Sequence, residues 1–317
     1  MRAVMIREFG PPEVLEPAEV AEVRAGPDEV VIDVEFANVT FVETQIRAGR
    51  PPNPAMLPTL PAILGNGVGG TVGDDSPWSG LRVVASLNGR GGYAERAVAT
   101  ASALIRVPDG LATRDAVALL ADGRTALALA GHAGLRAGET VLIEAAGGGV
   151  GTLLVQIARR AGARVVALAG QPRKLALARD LGADVTVDYS HDGWERQVRD
   201  LAGEVDVVFD GVGGDIGLAA FGLLRTGGRF CPFGMASGSF AAVTPDLAQD
   251  REVTVRPGAG GSPEELAALA RTALAEAAAG HLRPVVGQEF ELAEAARAHV
   301  AIEARETVGK TLLTVPR

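Results

Sequence analysis

Thr140-Val141-Leu142-Ile143-Glu144-Ala145-Ala146-Gly147-Gly148-Gly149-Val150-Gly151 is the stretch that decides the fold of this 317-residue chain. Val141 to Ile143 read as a buried strand that runs into a glycine cluster, and a helical segment follows at once, from Thr152 to Ala161. Strand, tight glycine turn and helix in that order bring backbone N–H groups, and the partial positive charge of a helix N-terminus, against a phosphate. Gly151 has no side chain to hold the helix away from the sheet. A second apolar strand, Arg164 to Ala169, completes one βαβ unit. That is the setting in which a glycine cluster indicates a dinucleotide rather than a bland turn.

The residues after the second strand select the nucleotide. An NAD-binding unit usually places Asp or Glu there to accept from the ribose 2′-OH. This chain has Ala169, Gly170 and Gln171, and no acid until Asp180. Arg173 and Lys174 follow instead, and two cations pair with a 2′-phosphate that a carboxylate would repel. The pattern predicts NADP(H); the competing reading makes Arg173 and Lys174 solvated residues on the first turn of the next helix. Tyr189, after a third strand from Asp184 to Val187, either closes the adenosine pocket or is a half-buried structural residue.

Further outward, strands at 140–146, 164–169, 184–187, 205–210 and 228–233 alternate with helical runs. Nearly continuous Val, Ile and Leu strands between helices predict an α/β fold, a doubly wound parallel sheet covered on both faces. Ligands of such sheets bind outside the carboxyl ends of the strands. The loops Asp210-Gly211-Val212-Gly213-Gly214 and Phe233-Gly234-Met235-Ala236 fall there. Residues 1–112 are broken into short strands: 30–36 with 18–23 as its neighbour, then 82–85, 94–98 and 103–107, which suggests a partly open barrel. Ser262-Pro263-Glu264-Glu265 opens a helix with a capping box. A second alanine-rich helix near 293–304 precedes a final strand, Lys310 to Val315.

Composition narrows the function. Lys and Arg total 30 against 39 Asp and Glu, a formal charge of −9, which disfavours nucleic acid and anionic membranes as partners. Only 4% of residues are aromatic, too few for base-stacking platforms. No apolar run reaches the ~18 residues of a membrane span, and the first residues, with Arg2, Arg7 and Glu8, do not read as a signal peptide. A cytoplasmic location is expected. The single cysteine, Cys231, is expected to be buried and inert. His132, His191, His281 and His299 have no metal-ligand spacing, so no metal is expected.

With these motifs in place, the chain resembles the zinc-independent quinone oxidoreductase branch of the medium-chain dehydrogenase/reductases. The likeness runs through Met1-Arg2-Ala3-Val4 to Glu8-Phe9-Gly10, Thr44-Gln45-Ile46-Arg47-Ala48-Gly49, Gly91-Gly92-Tyr93-Ala94-Glu95 and Ala145 to Gly151. It continues in Leu181-Gly182-Ala183-Asp184, Gly227-Gly228-Arg229 and Gly309-Lys310-Thr311. The resemblance implies a GroES-like catalytic domain, residues 1–120 with 259–317 returning to it, clasping a Rossmann domain, residues 121–258, with NADPH in the cleft. It implies that Gly148, Gly149, Val150 and Gly151 hold the pyrophosphate, and that Gly170, Lys174 and Tyr189, with Arg173, hold the adenosine phosphate end. Gly213, Phe233, Gly234 and Met235 would flank the nicotinamide half, Lys310 would return to the cofactor, and the protein would form a homodimer through the Rossmann sheet edge.

Zinc-dependent relatives carry a Cys and a Gly-His-Glu sequence where this chain has Asn38-Val39-Thr40-Phe41 and Gly65-Asn66-Gly67. Without a Lewis acid, electron-poor quinones and conjugated enones are the reachable acceptors. Family members often have Asn at Thr40, Tyr at Gln45, a second Tyr at Pro51 and an acid at Gly67, so the substrate half is altered while the cofactor half is kept. Thr40, Gln45, Asn66 and Thr125 are the candidate catalytic residues. The expected activity is NADPH-dependent hydride transfer to a quinone or an α,β-unsaturated carbonyl. The alternatives are an enoyl or tailoring reductase of secondary metabolism and a catalytically silent NADPH-binding protein.

Overall fold

The apolar runs on either side of the glycine turn form a six-stranded parallel sheet. Its order is Val185–Asp188, Arg164–Ala169, Thr140–Ile143, Val205–Asp210, Leu224–Pro232 and Thr254–Val255. Leu142, Val166, Leu168, Val208 and Phe230 are buried in its core, as β-branched and large apolar residues are when helices cover both faces. The chain runs outward from Thr140–Ile143 in one direction and then crosses to Val205–Asp210 on the other side. The strand order therefore reverses between these two neighbours, and a crevice opens at their carboxyl ends.

The computed structural model describes residues 1–256 and 258–316. They divide into two units, Asp122–Leu269, which holds the parallel sheet, and Met1–Ala121 with Ala270–Arg317. In the second of these, a seven-stranded sheet has the order Val286–Glu291, Lys310–Thr314, Glu29–Val39, Gly67–Val72, Arg82–Ser86 and Leu104–Arg106, with Arg96–Thr100 also paired to Glu29–Val39. The eleven-residue strand Glu29–Val39 pairs through one half with Arg96–Thr100 and through the other with Lys310–Thr314. Its two end strands, Val286–Glu291 and Leu104–Arg106, do not pair with each other, so the sheet stays open. Ile6, Ile32, Val68, Val83, Tyr93 and Leu313 belong to its core.

Three local readings are corrected. The stretch 18–23 is not a neighbour of Glu29–Val39; the strand is Glu16–Glu19, and it pairs antiparallel with Arg2–Ile6. Arg2–Ile6 buries Ala3, Val4 and Ile6 and offers the free edge, whereas Pro27 and the left-handed Asp28 (φ 61°) interrupt the approach to Glu29. The first strand of the βαβ unit ends at Ile143 rather than at 146, and its helix spans Gly149–Arg160, so the glycine cluster is itself the first helical turn. The capping box is present as read: Ser262 N–H donates to Glu265 Oε2 (2.8 Å) and Glu265 N–H to Ser262 Oγ (3.2 Å). No described helix is long and apolar enough to cross a membrane.

Candidate active site

The parallel-sheet unit builds its crevice from three loops. The first is the glycine turn. Ala145 adopts a left-handed φ of 49°, a strained value for a residue with a side chain, and turns the chain out of the strand. Gly148 is the N-cap of Gly149–Arg160 and provides no side-chain cap, so the first-turn N–H groups keep their hydrogens directed outward for an anion. Gly151 is where a close approach requires glycine. A Cβ there would strike the Ala145 carbonyl oxygen and lie 2.8 Å from Ala146 Cα, lifting the helix from the sheet. The uncapped N-terminus of a twelve-residue helix over a glycine turn fits a dinucleotide pyrophosphate.

The second region lies at the end of Arg164–Ala169. Tyr189 lies against Gly170, its Cε2 3.3 Å from where a Gly170 Cβ would sit. The Lys174 stem crosses Gly147, its Cβ 2.5 Å from the corresponding position there. Gly170, Lys174 and Tyr189 thus come together beside the glycine turn. Arg173 is exposed on the first turn of Pro172–Asp180 and donates from Nε to Gln171 Oε1 (3.1 Å). The group fits an adenosine 2′-phosphate, with cations and no acid at the strand end.

Loops 210–214 and 233–239 make the third region and are laced together. Phe233 and Gly234 N–H donate to Asp210 O (2.8 and 3.1 Å), Ser237 N–H to Val212 O (2.8 Å) and Gly214 N–H to Ser239 O (3.0 Å). Gly213 has a left-handed φ of 72°, and a Cβ there would strike Ser239 O. The Phe233 ring covers Gly211, with Met235 half-buried beside it in sequence. Cys231, buried in the adjoining strand, has its thiol pushed up to about 12 by desolvation.

The other unit gathers a separate polar cluster. Thr40 caps the helix Phe41–Arg47, and its hydroxyl donates to Glu43 Oε2 (3.0 Å), so its one proton is committed. Glu43 also accepts from Thr40 N–H and Asn66 N–H, each at 2.7 Å. Burial pushes the Glu43 carboxyl above its usual value, against these hydrogen bonds and the nearby Lys310 charge. Lys310 is itself buried and acts on Glu43. Asn66 is held at every other point: its carbonyl accepts from Leu87 N–H (2.6 Å) and Oδ1 from Gly89 N–H (2.8 Å). Nδ2 is left as a fixed donor. Gln45 donates to Thr44 Oγ1 (3.1 Å), and Thr125, in the Asp122–Leu269 unit, is half-buried in Thr113–Ala133.

Sequence reading missed several members. The Tyr93 hydroxyl lies 3.1 Å from His299 Nε2 and is acted on by the Glu43 carboxyl, and burial lowers the His299 imidazole to about 3. Asn38 fills the space of a side chain at 67: its Nδ2 lies 2.5 Å from where a Gly67 Cβ would be. A side chain at 67 has no room here. In the glycine turn, a Gly149 Cβ would strike the Asp122 carboxylate. Glu144 and Asp210, both fully buried, sit at the strand ends that flank the crevice. The one sequence signal for Glu144 and Asp210 is an acid directly after the apolar runs Val141–Ile143 and Val207–Phe209.

A strand-turn-helix phosphate cradle at a topological switch point, with a cationic adenosine end, defines a dinucleotide-binding protein. A sequence model described as zinc-binding dehydrogenase matches residues 149–275. Over 98% of the chain and 99% of the relative, it is 33% identical to a quinone oxidoreductase of Pseudomonas aeruginosa. A 2-haloacrylate reductase of a Burkholderia species is 31% identical, with 98% of each covered. A mycobacterial protein solved in complex with NADPH superposes with a TM-score of 0.89 at 33% identity, over 99% of each chain. The chain belongs to the quinone oxidoreductase family of the medium-chain dehydrogenase/reductases.

Proposed function

We propose that this chain is an NADPH-dependent reductase that acts on quinones or α,β-unsaturated carbonyls and needs no zinc ion. The observation that carries the reading is the uncapped helix N-terminus at the glycine turn, with Lys174 and Tyr189 beside it and no acid at the end of Arg164–Ala169. Gly148, Gly149, Val150 and Gly151 bind the pyrophosphate through backbone N–H groups. Gly170, Arg173, Lys174 and Tyr189 take the adenosine 2′-phosphate end, and Gly213, Phe233, Gly234 and Met235 flank the nicotinamide half. Bound NADPH supplies the hydride. Asn66 Nδ2, fixed by its other bonds, is the candidate donor to an oxygen that gains charge, with Gln45 in the same unit, and Thr125 is the candidate of the NADP(H) unit. Thr40 positions Glu43, and Lys310 belongs to the same buried cluster. The acceptor oxygen takes its proton from solvent.

The donor set supports the zinc-free reading, since Asn38-Val39-Thr40-Phe41 and Gly65-Asn66-Gly67 stand where zinc-dependent relatives carry a Cys and a Gly-His-Glu sequence. Asp122–Leu269 serves as the NADP(H) unit and the remainder as the GroES-like catalytic unit. A homodimer is part of the proposal: the edge strand Thr254–Val255 ends the parallel sheet and exposes Val255. A cytoplasmic location is consistent with the lone, reduced Cys231. The likeness to a 2-haloacrylate reductase favours activated alkenes as a second acceptor class. Steady-state rates with NADPH and NADH, each against 1,4-benzoquinone and a simple enone, test the whole. Higher kcat/KM with NADPH on either acceptor is expected; preference for NADH overturns the cofactor assignment.

A further inference from the structure

The crevice of the parallel-sheet unit has two acids in its floor that the proposed chemistry does not use. Glu144 follows the strand Thr140–Ile143, and Asp210 ends the neighbouring parallel strand, one step beyond the pair Ile143 and Phe209. The Glu144 N–H donates to Phe209 O (3.0 Å), which locks the two strand ends together. Both side chains are fully buried. Asp210 Oδ1 accepts from Gly213 N–H (2.6 Å) and Val212 N–H (3.0 Å), and Glu144 Oε2 shares the same Val212 N–H at 3.2 Å.

The other two oxygens, Glu144 Oε1 and Asp210 Oδ2, receive no hydrogen from any described group. Two ionised carboxylates buried side by side on one shared N–H would carry an uncompensated repulsion. The charged group that acts on Glu144 is Asp210, and no cation is among the causes that shift Glu144. Gly217 of Gly214–Phe221 lies against Asp210, where a Cβ would be 2.5 Å from Oδ2. A hydrogen bond between the two carboxyls completes both, and it needs one proton.

We propose that Glu144 is a neutral carboxylic acid donating to the Asp210 carboxylate, and that this shared proton is the positioning device for the Gly211–Gly213 loop. The inference rests on the reading that this loop flanks the nicotinamide half of NADPH. Asp210 is the anionic member because it takes the two short backbone donors, whereas Glu144 takes only the longer share of one. Burial first, and the Asp210 charge second, push the Glu144 carboxyl well above the usual carboxylate range. Raising the pH until Glu144 ionises sets two like charges beneath Val212, and the lacing to Phe233, Gly234 and Ser237 transmits the displacement to the facing loop.

The full-length protein and Glu144→Gln test this. Glutamine keeps a donor to Asp210 and an acceptor to Val212 but carries no titratable proton. Infrared difference spectra of the protein without nucleotide should show, at neutral pH, a protonated-carboxyl band that is absent in Glu144→Gln. If no such band is lost, the shared proton is refuted. NADPH titrations by fluorescence should give a Kd within ~3-fold of wild type for Glu144→Gln at neutral pH. At alkaline pH the wild-type Kd should rise by up to ~tenfold per pH unit once Glu144 ionises, while the variant stays flat. Parallel profiles refute the positioning role. Failure of both proteins to bind NADPH at any pH removes the nucleotide reading and the loop's role with it, and the infrared band still decides the proton separately.

Discussion

Gly149 and Gly151 stand two residues apart in the first turn of one helix, yet the structure assigns the same substitution different costs. At Gly149 an alanine methyl meets the Asp122 carboxylate, whose Cγ is 2.9 Å away, and that obstacle is the far end of a flexible side chain. At Gly151 the methyl meets the Ala145 carbonyl oxygen and Ala146 Cα at 2.8 Å, which are backbone atoms of an already strained turn. Alanine gains ~0.5–1 kcal/mol over glycine in a helix. For Gly149→Ala that gain offsets the displacement of one carboxylate, and the net change in stability is near zero. Overpacking against backbone costs ~1–3 kcal/mol, so Gly151→Ala should lose up to ~2.5 kcal/mol net. In a chain of this size that lowers Tm by up to ~4 °C. Because relief comes from lifting the helix N-terminus off the turn, NADPH affinity should fall at least ~tenfold for Gly151→Ala, about 1.4 kcal/mol. Thermal unfolding and NADPH fluorescence titration of both variants give the comparison. Equal Tm shifts and equal affinities would refute the claim that Gly151 is required by close helix–strand approach.

Two further outcomes follow from single side chains. In the proposed phosphate site, Lys174→Ala removes one charge-assisted contact to the 2′-phosphate, worth ~1.5–3 kcal/mol, so NADPH should bind ~tenfold to a hundredfold more weakly, with NADH unchanged; equal losses for both nucleotides would take Lys174 out of that site. His299 is held neutral in the fold down to about 3, below its ordinary 6.5. Between those values the unfolded chain binds a proton that the folded one refuses. The stability contribution is therefore present above the unfolded value and is lost as pH falls through the window, by ~1.4 kcal/mol per unit. His299→Gln retains a partner for Tyr93 without titrating, and should lose less stability than wild type on acidification; identical acid slopes in denaturant unfolding would contradict the assignment.

The readable part of this protein was local. Val141 to Ile143, the glycines after them and the cations at 173 and 174 each state a short-range requirement: a buried strand, a turn that only small residues allow, a charge suited to phosphate. Such requirements are met by neighbours in sequence, so the dinucleotide unit and its NADP(H) preference could be read before any coordinates. The alternation of strands and helices likewise fixed a parallel sheet, because its period depends on the chain's own geometry.

Tertiary structure decided what depends on which distant strands become neighbours. The segment 18–23 looked able to pair with Glu29–Val39, but the buried alternation of Arg2–Ile6 took its place, ending the strand at Glu19. Glu144 became the partner of Asp210 only because Val205–Asp210 crosses to the far side of Thr140–Ile143. Asn38 could displace an acid at 67 only once their strands lay side by side. Lys310 joined Glu43 by the same route, through Lys310–Thr314 pairing with Glu29–Val39. Periodicity and backbone preference travel along the chain. Burial of charge and the sharing of a proton are set by strand order, which no single stretch of sequence encodes.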